Sequence, residues 1–184
     1  MLSIFKLRKD KEQDKQEYKL NKKLFSILEN IDNENDLTEE EKHILSITDK
    51  RYTYVNRQRG SGLTTSAILK ALKTLLEGKD VCIICKFHTQ VLYTKRKAID
   101  IINPNKLNKN FILKDNSILN KKKGTLDFLS LSQTKGMGRY DLIIIDDYMF
   151  NDKSFEYTIK NLIPCSIKED GQVLLLARKI NRLH

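Results

Sequence analysis

The sequence predicts an α/β fold over residues 51–184, a mostly parallel sheet flanked by helices on both faces. Three observations carry that expectation. A β-branched and aromatic run, Arg51-Tyr52-Thr53-Tyr54-Val55, leads through a basic, glycine-bearing loop into a helical pattern from Thr64. An unbroken apolar run, Leu142-Ile143-Ile144-Ile145, ends in two acids, Asp146 and Asp147. Between these two stretches, continuous apolar runs alternate with apolar stripes at three- and four-residue spacing. That pattern belongs to strands covered on both faces by crossover helices.

The elements follow in order. Arg51 to Val55 reads as a strand. After the loop, Ile68, Leu69, Ala71, Leu72, Leu75 and Leu76 form the buried stripe of a helix, with Gly78 as its stop. Val81 to Cys85 is a strand buried on both faces. Thr89 to Ile102 reads as a second helix, with Leu92, Ile99 and Ile102 inward, Lys95, Arg96 and Lys97 outward, and Pro104 beyond its end. Phe111 to Leu119 reads as two short strands around Asp115-Asn116, an edge hairpin. Lys121-Lys122-Lys123-Gly124 is a basic turn, either a solvated loop or a contact for a phosphate backbone. Thr125 to Ser132 alternates as a strand, and Gln133 to Tyr140, with Gly136 and Gly138, reads as a loop. Asp141 to Asp147 is a central strand. Lys153 to Leu162 reads as a helix with Phe155, Ile159 and Leu162 on one face, and Val173 to Ala177 as a last buried strand.

Residues 1–50 read as a basic, helical N-terminal extension to the domain of residues 51–184. Leu20, Leu24, Phe25 and Leu28 recur at helical spacing, and Thr38 with Glu41 fits a capping box. A chain of 184 residues suits one domain with its own core plus such an appendage. Its 34 Lys and Arg against 24 Asp and Glu leave a charge of +10. That surplus points to a polyanionic partner, most simply nucleic acid, or else to a lysine-rich solvated surface. No apolar run is long enough to span a membrane, and the Met1-Leu2-Ser3-Ile4-Phe5 start is too short for a secretory core, so a cytoplasmic protein is expected. Three cysteines, an odd number, argue against a disulfide framework. Cys82 and Cys85 have CxxC spacing, but on a strand they point to opposite faces, so buried thiols are expected rather than a metal pair.

A strand, a glycine loop and a helix N-terminus together form a cradle for phosphate, because loop N–H groups and the helix dipole converge there. The pattern G-x-x-x-x-G-K-[ST] is met at two of its four fixed positions, Gly62 and Thr64; Arg57 stands at the first glycine and Leu63 at the lysine. An ordinary Gly-Ser-Gly turn is the alternative reading. As a nucleotide site, the loop comprises Arg57, Gln58, Arg59, Gly60, Ser61, Gly62, Leu63, Thr64 and Thr65. Arg57 and Arg59 are then candidates for the charge that lysine would supply, since a guanidinium contacts phosphate bidentately. Acids at the C-terminal end of a central strand lie where open α/β sheets bind ligands. Asp146, with the Thr64 hydroxyl, is the candidate for Mg²⁺, and Asp147 the candidate general base.

Taken in order, these segments resemble the ATPase domain of tailed-phage large terminases, the DNA-packaging motor proteins. The resemblance spans residues 51–178. It rests on the loop Arg57 to Thr65, on Ile83-Ile84-Cys85-Lys86 and the helix after it, on Gly124 to Gln133 and Gly138-Arg139, on Ile143 to Phe150 with its Asp146-Asp147 pair, and on Leu174-Leu175-Leu176-Ala177. It implies a P-loop NTPase fold, ATP and Mg²⁺ as cofactors, and hydrolysis coupled to packaging of double-stranded DNA. It also implies a homo-oligomeric ring or a packaging complex with a portal and a separate nuclease chain. An arginine from a neighbouring subunit would complete such a site, and Arg139 is one candidate. The sequence departs from the family at Leu63, at Asp147 where many members carry Glu, and at Arg178-Lys179 where coupling Thr or Ser residues are usual. These departures keep a second expectation open, a non-hydrolysing relative that binds DNA or a partner as a structural or regulatory subunit. A helicase-type ATPase fragment is a third.

Overall fold

The computed structural model describes residues 51–58, 62–103, 109–149 and 152–179. The N-terminal extension, the capping box at Thr38 and Glu41, Arg59-Gly60-Ser61, Pro104, Phe150 and Arg182 lie outside them. So do the side chains of Arg57, Gln58, Arg178 and Lys179.

The elements are β1 (Tyr52–Gln58), α1 (Leu63–Leu76), β2 (Val81–Cys85), α2 (His88–Ile102), β3 (Phe111–Leu113), β4 (Ser117–Asn120), β5 (Thr125–Ser130), β6 (Tyr140–Tyr148), α3 (Lys153–Tyr157), a π-helical turn (Thr158–Leu162), α4 (Ile163–Ser166) and β7 (Ile167–Lys179). They build a 7-stranded sheet in the order β1-β7-β6-β2-β5-β4-β3. The pairs from β1 through β5 are parallel, and β5-β4-β3 continue as an antiparallel meander. This is the expected α/β architecture, and β3 with β4 is the expected edge hairpin.

Each strand of the centre is apolar because helices cover both faces. Alternation sends Val81, Ile83, Leu142 and Ile144 to the face beneath α1 and α2. Cys82, Ile84, Ile143, Ile145, Val173 and Leu175 form the opposite core, closed by Phe155, Ile159 and Ile163 from the α3–α4 segment. Cys82 and Cys85 fall on opposite faces as expected, and both are free and buried. Burial pushes the Cys85 thiol up to about 12, with Asp146 and Asp147 adding to that push against the lowering effect of its Thr94 contact.

Three details depart from the sequence expectation. The inward face of α2 is Val91, Thr94, Ala98 and Ile102, whereas Leu92 is 52% exposed. Val91, Leu92 and Tyr93 are consecutive and apolar, so spacing alone does not select among them; packing on β2 and β5 does. The helix from Lys153 runs on to Ser166, because Pro164 falls at the start of a new helical turn, where its missing N–H costs nothing. β7 begins at Ile167, well before Val173, with a bulge opposite β6 between the Tyr140 and Leu142 pairings.

That early start of β7 serves an ionic latch at the N-terminal edge of the parallel strands. Lys168 Nζ donates to Asp80 Oδ2 at 2.8 Å and to Asp141 Oδ2 at 2.7 Å. The Asp80 N–H donates to Asp141 Oδ2 at 2.7 Å, and the Thr125 N–H to Asp80 Oδ1 at 3.1 Å. Partial burial pushes the Asp141 carboxyl up, but Lys168 and the Asp80 N–H outweigh it and hold the group below its ordinary 3.8. Lys168 is correspondingly raised above 10.5, by Asp141 first and Asp80 second. A lowered carboxyl contributes stability above its unfolded value and loses it as pH falls through the folded one. A raised lysine contributes below 10.5 and loses it as pH rises further. The latch therefore holds from about pH 4 to the alkaline limit. Lys168→Met is expected to cost about 1 kcal/mol at pH 7, a modest figure because the three side chains are 28–37% exposed and screened by water. It should also flatten the acid limb of a stability–pH curve below about pH 4. Urea unfolding across pH checks both, and an acid limb identical to that of the wild type would remove the latch.

A candidate nucleotide site at the head of α1

The site is built where β1 hands the chain to α1. Gly62 holds φ +79, the left-handed region that glycine enters without a Cβ penalty, and its carbonyl accepts the first helical hydrogen bond from Ser66 at 2.9 Å. The N-cap residue, Gly62, has no side chain to cap α1, and the first turn of the helix carries no acid. The first-turn N–H groups and the positive end of the helix dipole are the kind of site that suits an anion. Thr64, the second residue of the helix, donates from Oγ1 to Asp146 Oδ2 at 3.1 Å and Oδ1 at 3.3 Å. The two are 82 residues apart in sequence. Asp146 is only 6% exposed and Thr64 is half-buried, so this contact is largely shielded from solvent.

Asp146 lies on the α1 face by alternation, and Asp147 should turn away from it. It does not. Between Ile145 and Tyr148 the register of β6 against β7 shifts, and Asp147 sits at φ +60, the only described non-glycine residue with positive φ. The bulge lets Asp147 Oδ2 accept from Gln90 Nε2, at 3.2 Å, in the first turn of α2. It also sends Tyr148 to the opposite face, where it meets Phe155 edge-on with centroids 5.3 Å apart. The adjacent acids are thus held by the first turns of two different helices.

The structure brings together Thr64, Asp146 and Asp147. Leu63 is the first residue of α1, half-buried, and supplies no charge; Thr65 follows Thr64 and is half-buried. The backbones of Arg57 and Gln58 end β1, paired with Arg178 and Lys179 of β7. Two further residues complete this edge. Lys86, directly after β2, pairs with Asp152 at 2.6 Å, and Asp152 in turn caps α3 by accepting from the Ser154 N–H. Lys86 foremost holds the Asp152 carboxyl below its ordinary value. A charge just beyond a buried strand, the signal that picked out Asp146, would have found Lys86 too. Gln90 has no such signal, because the residue before the helix is Phe87 and no Ser-x-x-Gln pattern marks it.

Arg139 is exposed and precedes β6, seven residues before Asp146 and hence about 20 Å along the strand from it. It lies at the wrong end of the sheet for the site of its own chain.

The donor set suits a small hard cation carried by a nucleotide. A hydroxyl and a carboxylate leave positions for phosphate oxygens and water, which is how Mg²⁺ is usually held. Among the described residues no group of three or more His, Cys, Asp or Glu is placed to hold a metal by protein alone. No described helix is long and apolar enough to cross a membrane.

No protein-family model matches the chain, and no curated protein does. Solved structures do match. The Thermus phage P74-26 large terminase ATPase domain superposes with a TM-score of 0.57 at 12% identity, over 76% of this chain and 68% of that one. A mutant of the same domain gives 0.57 at 14% identity, over 79% and 72%. The HK97 bacteriophage large terminase gives 0.58 at 15% identity, over 77% of this chain but 33% of its own, so the chain spans a third of that protein's length. At these identities the likeness is one of fold, and the fold of this chain is that of the phage large terminase ATPase domains, a P-loop NTPase-like α/β sheet.

Proposed function

We propose that this chain is a terminase-like ATPase that uses Mg²⁺-ATP to move double-stranded viral DNA. The observation that carries the reading is the Thr64–Asp146 contact at the head of α1, where a glycine stands at the N-cap, with Asp147 next in sequence. Thr64 and Asp146 would hold Mg²⁺, and the N–H groups around Gly60 to Gly62 would bind phosphate. When bound, the ion would supply charge neutralisation at the phosphates. Asp147 orients the attacking water and accepts its proton. Arg57 or Arg59 supplies the cation that Leu63 does not. Arg139, remote from its own site, serves that of a neighbouring copy in a ring. The duplex is the natural partner for a charge of +10, and the exposed Lys121-Lys122-Lys123 turn suits its phosphates. Leu63 favours a second reading, in which nucleotide binds without turnover and the chain acts as a structural or regulatory subunit.

The test is ATP turnover by the purified chain, with and without duplex DNA and Mg²⁺. Turnover should depend on Mg²⁺, rise with DNA, and fall about a hundredfold in Thr64→Ala, because one misplaced positioning group costs about that much. Mg²⁺-dependent nucleotide binding without turnover, with or without DNA, would select the second reading. Wild-type nucleotide binding and turnover in both Thr64→Ala and Asp146→Ala would remove the site.

A further inference from the structure

Gln90 is tied at both ends of its amide. Its Oε1 accepts the Phe87 N–H at 3.1 Å, one half of a capping box at the start of α2. With the oxygen committed there, the amide nitrogen must point the other way, and it donates to Asp147 Oδ2 at 3.2 Å. The residue it reaches occupies a left-handed backbone conformation inside a β-bulge. Such a conformation costs of order 1 kcal/mol for a residue with a Cβ and persists where its surroundings enforce it. Outliers of this kind gather at functional sites, where a bulge re-aims one side chain.

We infer that Gln90 is the positioning residue for Asp147, fixing the carboxylate beside the Thr64–Asp146 pair through an amide whose orientation α2 sets. The inference rests on the hydrolytic reading above and deepens it. Gln90 touches neither phosphate nor metal on this account; it acts through Asp147. The first turn of α2 becomes part of the catalytic apparatus, and any movement of that helix relative to β6 is felt at the carboxylate.

Gln90→Glu separates this role from simple helix capping. The new side chain keeps an oxygen for the Phe87 N–H, so the cap survives. It loses the donor to Asp147 and sets a negative charge against it. Turnover in the full chain with duplex DNA is expected to fall about tenfold to a hundredfold, the usual cost of losing an orienting partner, with the loss in kcat and with KM for ATP and nucleotide affinity unchanged. A wild-type kcat would overturn the proposal, as would a loss confined to KM.

A second measurement reads the contact without activity. Gln90→Glu should lower the Tm, and the loss should disappear when Asp147→Asn is added, because an amide then faces the new carboxylate. Strict additivity of the two substitutions would show that the side chains do not meet and would overturn the proposal by itself. Coupling in Tm with no turnover in the wild-type chain would overturn the hydrolytic reading, and with it the catalytic role of the contact.

Discussion

Asp147→Asn is expected to reduce ATP turnover by about two to four orders of magnitude, the contribution usual for a positioned general base. The substitution is chosen for what it leaves alone. Asparagine has nearly the same shape, and it tolerates the left-handed backbone better than almost any other residue with a Cβ. At φ +60 that matters, because alanine tolerates the left-handed region less well than Asp or Asn, so Asp147→Ala would confuse chemistry with folding. The amide oxygen of asparagine can still accept from Gln90 Nε2, so the side chain stays aimed where the bulge puts it. Proton acceptance is lost, together with the negative charge. Nucleotide affinity in the presence of Mg²⁺ should therefore hold, since Thr64 and Asp146 are untouched. With the Gln90 contact kept, the unfolding free energy should change by no more than about 1 kcal/mol. Steady-state turnover beside equilibrium nucleotide binding decides the matter. A kcat equal to that of the wild type would remove Asp147 from the chemistry and leave Asp146, or a group outside the described residues, as the base.

The broad fold was legible because its signals are physical and local. Strands buried on both faces must be apolar throughout, and Val81 to Cys85 and Leu142 to Ile145 are. The meeting of Thr64 with Asp146 was legible for a topological reason. A helix that leaves the end of one parallel strand starts at the same edge where its neighbours finish, so Thr64 and Asp146 had to share that edge. What alternation cannot show is a single inserted residue. The bulge after Ile145 reverses the faces of Asp147 and Tyr148, yet nothing in Ile-Asp-Asp-Tyr distinguishes a bulged strand from a regular one. Gln90 was hidden for the same reason, since it matters only once Asp147 has turned. The early start of β7 was hidden by charge. Lys168-Glu169-Asp170 carries no apolar strand pattern, and its charges are accounted for only where Asp80 and Asp141 converge on Lys168.

Phe155→Ala is expected to remove about 3–5 kcal/mol of stability, the range for deleting a buried phenylalanine. Phe155 is 0% exposed, on the helical segment that, among the described residues, covers the face formed by Ile143, Ile145, Val173 and Leu175. A short, π-turned segment has little room to collapse into the void, because Phe155, Ile159 and Ile163 are its inward side chains. Domains of this size hold only about 5–15 kcal/mol in all, so the loss is a large share of the total. The midpoint of urea unfolding should fall with little change in slope. The second consequence reaches the site. Phe155 meets the Tyr148 ring edge-on at 71°, and Tyr148 is the first residue after Asp147. Its burial fixes the strand on the far side of the bulge, as Ile145 fixes the near side. Without Phe155 that anchor loosens, and the carboxylate loses one of the two supports that hold its backbone at positive φ. Turnover measured where the variant is still fully folded should therefore fall as well, although no group that meets nucleotide has been changed. Phe155→Leu, which refills most of the volume, should recover both quantities in part. A stability loss below about 1 kcal/mol would mean that this face is not closed as described, because transfer of the ring alone is worth more than that.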